Sequence, residues 1–125
     1  MQAVVNVCGP TDLQGCYEAS SVAWVFRLFM GGTPDEAAKT YAAASPVTWA
    51  SRDDPPVLTI HGNRDRAVPI SQARLLDERM NAAGASHALV EFEGQGHGFD
   101  AAHRRRELDM MWDFFDEHLR TPGAR

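Results

Sequence analysis

Two side chains in this sequence have the type and setting that proton-transfer chemistry requires. Asp65 sits in His61-Gly-Asn-Arg-Asp-Arg-Ala-Val-Pro69, and His97 sits in Gly94-Gln-Gly-His-Gly-Phe99. Each lies in a glycine-bearing turn just past an apolar run, where an open α/β sheet presents its functional groups. An aspartate so placed can accept a hydrogen bond from a histidine Nδ1, fix the ring's tautomer and stabilise the imidazolium formed during nucleophilic attack. A histidine can carry the proton near neutral pH. The glycines beside His97 permit a tight turn, and Phe99 offers an apolar anchor behind the ring. An acid followed by a histidine supplies two of the three parts of a Ser-His-Asp arrangement. The competing reading of Asp65 is a turn aspartate paired with Arg64 or Arg66.

The remaining reactive residue types read as structural. His61 ends an apolar run beside Gly62 and is expected to support the Asp65 loop, while His87, His103 and His118 have no catalytic setting. His61, Asp65 and His97 could converge as a two-histidine, one-carboxylate metal set. Their spacing contains no compact ligand motif, so neither a metal nor a cofactor is expected. Cys8 and Cys16 are too few for a disulfide scaffold and read as free, buried thiols. Cys8 ends an apolar run, but nothing beside it in sequence would activate it as a nucleophile. Asp12, in Gly9-Pro10-Thr11-Asp12, reads as a turn or helix-cap aspartate.

The elements that must position Asp65 and His97 follow from periodicity. Valine-rich residues 3–7 suit a buried parallel strand. Residues 18–29 place Val22, Val25, Phe26 and Phe29 on one helical face, ended by Gly31-Gly32. Thr33-Pro34-Asp35-Glu36 reads as a capping box opening a short helix to about Ala43. These two inserted helices could cap a pocket lined by Tyr41 and Trp49, or those aromatics could be packing residues. Residues 57–60 form a second strand, and residues 71–83 a crossover helix with Ala73, Leu76, Met80 and Ala83 inward and Gly84 as its stop. Residues 88–92 form a third strand. A last helix carries Leu108, Met111, Trp112, Phe115 and Leu119 on one face and ends at Pro122 and Gly123. Strands alternating with helices predict parallel βαβ units.

Composition bounds the function. The chain has 125 residues, 44% hydrophobic and 23% charged, which suits one soluble domain. A net charge of −5 argues against a nucleic-acid surface. Arg104-Arg-Arg106 is followed by Glu107 and Asp109 and reads as a solvated helix start. No apolar run approaches the ~20 residues of a membrane span. Met1 leads into Gln-Ala-Val-Val-Asn-Val without a basic region or cleavage site, so the cytoplasm is the expected compartment.

The order of strand, Asp turn ending in Val-Pro, helix, strand and Gly-His-Gly-Phe resembles the α/β-hydrolase fold. The nearest branch is the esterase/lipase and prolyl-oligopeptidase-like serine hydrolases. Val4-Val-Asn-Val-Cys-Gly-Pro-Thr-Asp-Leu13 resembles the strand and loop soon after that family's nucleophile. Gly31-Gly-Thr-Pro34 and Ala44-Ser-Pro-Val47 resemble its intervening segment, and Asp54-Pro-Pro-Val-Leu-Thr-Ile-His-Gly62 the strand that delivers the acid. The resemblance implies a partial α/β-hydrolase fold of three parallel strands with flanking helices and a short helical insertion. It also implies Asp65 as the triad acid and His97 as the base, in the order Ser, Asp, His.

The family's Gly-x-Ser-x-Gly does not occur, and none of Ser20, Ser21, Ser45, Ser51, Ser71 or Ser86 has flanking glycines. Residues 1–125 are therefore expected to be the C-terminal part of one hydrolase domain, without the half that bears the nucleophile, and inactive alone. The intact protein would cleave a small-molecule carboxylic ester. The alternatives are a peptidase of the prolyl-oligopeptidase type and a non-catalytic truncated hydrolase serving as an interaction module. The strand at residues 3–7 would present an open edge for self-association or complementation.

Overall fold

The computed structural model describes residues 2–120. In chain order the elements are β1 (Val4–Val7), α1 (Leu13–Ala19), α2 (Ala23–Met30), α3 (Ala38–Ala44), a 3-10 turn (Pro46–Thr48), β2 (Val57–Gly62), α4 (Ser71–Ala83), β3 (His87–Phe92) and α5 (Ala101–Leu119). The three strands form one parallel sheet in the order β1-β2-β3, with Val7 opposite Ile60 and Gly62 opposite Phe92.

β2 is Val-Leu-Thr-Ile-His-Gly and is buried at every residue, as a strand flanked on both edges and both faces must be. Its side chains alternate between two cores. Val57 packs with Val4 and with Leu76 and Met80 of α4. Leu58 and Ile60 pack on the other face with Val5, Val90, Phe92 and Phe99, and with Met110 and Phe114 of α5. The sheet is thus covered by α4 on one side and α5 on the other. Complete burial of a side chain such as Ile60 stabilises the fold by roughly 1.5–3 kcal/mol.

The crossover helix is as read from the sequence: α4 buries Ala73, Leu76 and Met80, and Gly84 closes it in the left-handed conformation at φ 76°. The last helix differs. Leu108, Trp112 and Leu119 are exposed, Trp112 at 63%, whereas Met110 and Phe114 meet the sheet and Glu107 is buried with Arg104 paired to it. Both sets have helical spacing, and periodicity does not say which edge of a wide apolar stripe turns inward. The rotation is fixed from outside the helix, by Asp100 capping the His103 N–H and by its own N–H held on Gln95. Pro122 and Gly123 lie outside the described residues.

The segment between β1 and β2 contains three helices where two were expected. The helix expected over residues 18–29 is split at Ser20, whose hydroxyl donates to the Ala67 carbonyl at 2.5 Å and accepts from the Val22 N–H at 3.0 Å. Such local serine bonds compete with helix continuation. Val22 becomes the residue that caps α2, and Leu28 and Phe29 stand 74% and 83% exposed. Only Phe26 and Met30 turn inward, onto Leu13 and Tyr41. Thr33 and Glu36 do exchange the bonds of a capping box, at 2.8 and 3.4 Å, but these close a turn. Ala37, at φ −131°, delays α3 to Ala38. Tyr41 is a packing residue, fully buried with its hydroxyl donating to Gly32. Trp49 is exposed and lines a cleft of about 440 Å³ beside Val4, Asn6, Leu76 and Met80, which neither Asp65 nor His97 borders.

Candidate active site

Asp65 is delivered by the turn that leaves the C-terminal end of β2, and the turn is held by its own backbone. Asp65 Oδ1 accepts the N–H groups of Ala67 and Val68 at 2.9 and 2.8 Å. The side chain is completely shielded from solvent, yet both oxygens are engaged. Oδ2 faces His97 Nδ1 at 2.8 Å, across 32 residues of sequence. Among the described residues neither Arg64 nor Arg66 makes an ion pair, so Asp65 serves His97.

His61 is buried and takes the supporting position expected of it. Its Nε2 donates to the Val68 carbonyl at 2.7 Å and lies 3.4 Å from Asp65 Oδ2. The turn is further tied to the helical insertion, by Ser20 to the Ala67 carbonyl and by the Ser21 N–H to the Arg66 carbonyl at 2.8 Å.

His97 is presented by the loop after β3. That loop runs close beside the end of β2: the Arg64 N–H donates to the Gln95 carbonyl at 2.9 Å, and the Asn63 N–H to the Phe92 carbonyl at 3.1 Å. Gly62 permits this approach, because a Cβ there would collide with the backbone of Gln95 and Gly96. Gly98, at φ 115°, turns the chain after the histidine, a conformation that side-chain-bearing residues rarely adopt. Phe99 packs edge-on against Phe92 with ring centroids 4.9 Å apart, so it anchors the loop to the core beneath the sheet. The Gln95 side chain then closes the loop, donating to Asp100 Oδ2 at 3.0 Å and accepting the Asp100 N–H at 2.9 Å. The His97 side chain is 50% exposed, so its ring is fixed at Nδ1 and open to a reactant elsewhere. Among the described residues no hydroxyl hydrogen-bonds to it.

The other histidines are structural. His87 bridges Thr59 and Asp77, His103 sits on the capping Asp100, and His118 packs on Phe114. Asp12 caps α1 by accepting the Gly15 N–H. Both cysteines are free and buried. Burial pushes the Cys8 thiol above its ordinary pKa; the N–H groups of Gly62 and Gly98 oppose this and the Asp65 carboxylate adds to it. A thiol held protonated is a poor nucleophile.

Two supports of the site were not read from the sequence. The Gly62 approach pairs residues more than thirty apart, and glycine after a strand signals only a turn. The Gln95–Asp100 clamp lies in a stretch where polar residues carry no periodic signal.

Comparison with known proteins places this geometry in a family. The model of the prolyl oligopeptidase family matches residues 1–122. Esterase LipC of Mycobacterium tuberculosis is 36% identical over 104 residues, which are 80% of this chain and 26% of LipC. A solved puromycin-hydrolysing peptidase of Mycobacterium tuberculosis superposes with a TM-score of 0.85 at 30% identity, over 95% of this chain and 18% of that one. A truncated carbohydrate esterase from gut microbiota superposes with a TM-score of 0.82 at 30% identity, over 94% of this chain and 42% of that one. The chain thus spans about a quarter of the length of LipC. Among the described residues no helix is long and apolar enough to cross a membrane.

Proposed function

The chain belongs to the prolyl oligopeptidase family, and on that premise we propose that it carries the acid and the base of a serine hydrolase that cleaves carboxylic esters. The observation that carries this reading is the 2.8 Å contact of His97 Nδ1 with a fully shielded Asp65 whose other oxygen is tied to two backbone N–H groups. Asp65 fixes the tautomer that has its proton on Nδ1, leaving the Nε2 lone pair as the base. Nε2 takes the proton of a serine Oγ as the Oγ–C bond forms at the substrate carbonyl. Collapse of the tetrahedral intermediate breaks the C–O bond to the alcohol, which receives that proton from Nε2 and leaves an acyl-enzyme. Water repeats the sequence, yielding the acid and restoring the serine.

In this reading the serine and the donors that hold the oxyanion come from polypeptide outside these 125 residues, paired along the open edge of β1. The match to LipC favours an ester substrate. The family's name and the likeness to a puromycin-hydrolysing peptidase favour an amide as the second reading.

Labelling the folded chain with a fluorophosphonate probe is expected to give no adduct, and a stoichiometric adduct on any serine within it would overturn the assignment of the nucleophile. In a polypeptide extended to include the serine, His97→Ala is expected to lower kcat/KM on a nitrophenyl ester by roughly 10⁴-fold or more. Full activity in that variant would remove His97 from the chemistry. A peptide anilide turned over as fast as the matched ester would decide for the peptidase.

A further inference from the structure

We propose that Cys8, His61 and Asp65 form a binding site for one thiophilic divalent cation of the zinc class, and that its occupancy draws Asp65 away from His97. The binding step stands on the cluster itself; its inhibitory consequence rests on the functional reading above.

The sheet brings the three residues together. Val7 pairs with Ile60, so Cys8 and His61 are the next neighbours across β1 and β2, and the Cys8 N–H donates to the Ile60 carbonyl at 3.1 Å. Cys8 has φ 51°, the one positive value outside glycine among the described residues. One ligand atom from each of the three (the Sγ, an imidazole nitrogen and a carboxylate oxygen) lies within 4.8 Å of the other two. Around a tetrahedral zinc with ordinary bond lengths, such atoms stand roughly 3.3–3.6 Å apart. Small side-chain movements therefore complete three of four positions, and thiolate, imidazole and carboxylate are the donors this cation takes. All three residues are buried.

His61 is also incompletely satisfied. With Nε2 given to Val68, its Nδ1 is buried with no hydrogen-bond partner among the described residues. The ring nitrogen that faces Asp65 is Nε2, so a cation there would replace the Val68 bond, the ring proton moving to the unpartnered Nδ1. Binding removes the thiol proton to solvent as the metal–sulfur bond forms, because a coordinating thiol is deprotonated.

The competition with His97 follows from which oxygen is free. Asp65 Oδ1 is committed to the Ala67 and Val68 N–H groups. The oxygen that faces His61, at 3.4 Å, is Oδ2, the same atom that holds His97 Nδ1 at 2.8 Å. A cation on Oδ2 draws off the charge that orients the imidazole.

The test is a Co²⁺ titration of the folded chain followed by thiolate-to-metal absorption, with a matched titration by diamagnetic Zn²⁺ followed by ¹⁵N NMR of the imidazoles. One equivalent is expected to produce the absorption band in the parent chain and in Cys16→Ser, and none in Cys8→Ser. The His97 ring signals are expected to shift with Zn²⁺ to the same one-equivalent end point while those of His87 and His103 stay still. In the unaltered chain Zn²⁺ is expected to slow iodoacetamide alkylation of Cys8 at least tenfold and leave Cys16 unchanged, a readout that needs no variant to fold. Absence of the band, a band that depends on Cys16, unprotected Cys8 or an unmoved His97 ring would each overturn the proposal. None of these readouts measures hydrolysis, so failure of the esterase reading would leave the band in place, and failure of the band would leave the esterase reading in place.

Discussion

β1 and β2 lie side by side in register, yet every residue of β2 is buried and every residue of β1 only partly so. β2 has a strand on each edge, whereas β1 pairs with β2 alone among the described residues. The side chains of the proposed chemistry hang from the buried strand and its other neighbour: His61 and the turn to Asp65 leave β2, and the His97 loop leaves β3, whose Phe92 is buried opposite Gly62. The most exposed apolar side chains, Phe29 and Leu28, belong to α2 of the insertion that follows β1, with Trp24 beside them; α5 also leaves Trp112 exposed. The difference teaches that the site's geometry is built from contacts of β2 and β3, while the insertion adds ties to it without supplying its core.

The widest separation between the two regions is expected in catalysis. In a polypeptide that includes the serine, Asp65→Asn should cost about 10⁴-fold in kcat, since it leaves the histidine's position intact and its tautomer wrong. Leu28→Ser on α2 should leave kcat within about twofold, a surface change away from the reacting groups. An equal loss in both would break the comparison. Stability should divide the same way. Ile60→Ala, in a fully buried position of β2, is expected to cost about 2–5 kcal/mol in urea unfolding of the chain. Leu28→Ala is expected to stay within about 0.5 kcal/mol. A large cost at Leu28 would mean that something covers α2 in solution.

What could be read from the sequence divides along the same line. The strands, the crossover helix and the Asp65 and His97 turns were legible because β2 meets neighbours on every side and α4 buries one face against the sheet, so burial follows pattern. The split at Ser20 and the outward face of α2 were not, because a helical apolar period states spacing and says nothing of whether a partner stands opposite. α5 shows the intermediate case. Its period was legible, but its rotation by about one residue depends on the Asp100 cap and Gln95, which no periodicity encodes. The Cys8–His61–Asp65 cluster was hidden for a different reason: it joins two strands whose register is known only once the sheet is formed.

A third measurement probes the joint between the regions. Cys16 of α1 is fully buried with its sulfur 4.0 Å from the Ala67 carbonyl of the Asp65 turn. Burial, with Asp65 and Asp12 adding to it, pushes its pKa from 9.0 up to about 11. The folded state then keeps a proton that the unfolded chain has lost, so stability is unaffected below about pH 9 and falls as pH rises towards 11. The total loss should be on the order of 2–3 kcal/mol. Cys16→Ala should flatten the slope of the urea midpoint against pH in that window. A slope unchanged by the substitution would mean that α1 is open enough for the thiol to titrate as it does unfolded.

A smaller loss than those at Ile60 and Cys16 is expected where the insertion first attaches to α4. Gln72 of α4 accepts the N–H groups of Thr11 and Asp12 at 2.9 and 2.7 Å, and its own carbonyl accepts the Thr11 hydroxyl at 2.6 Å. The backbone before α1 is therefore fixed from the β2 side, independently of the Asp12 carboxylate. That carboxylate has one task, accepting the Gly15 N–H at 3.2 Å as the cap of α1. Asp12→Ala should cost about 1 kcal/mol, the usual loss for such a cap, and Asp12→Asn should recover most of it because an amide oxygen can still accept. The His97–Asp65 contact should be unmoved in both, read from the His97 ring signals, since the cap ends at α1 and the site is held from β2. If Asp12→Ala disturbed those signals, the insertion would be holding the site as well as touching it, and the division between the two regions would have to be redrawn at α1.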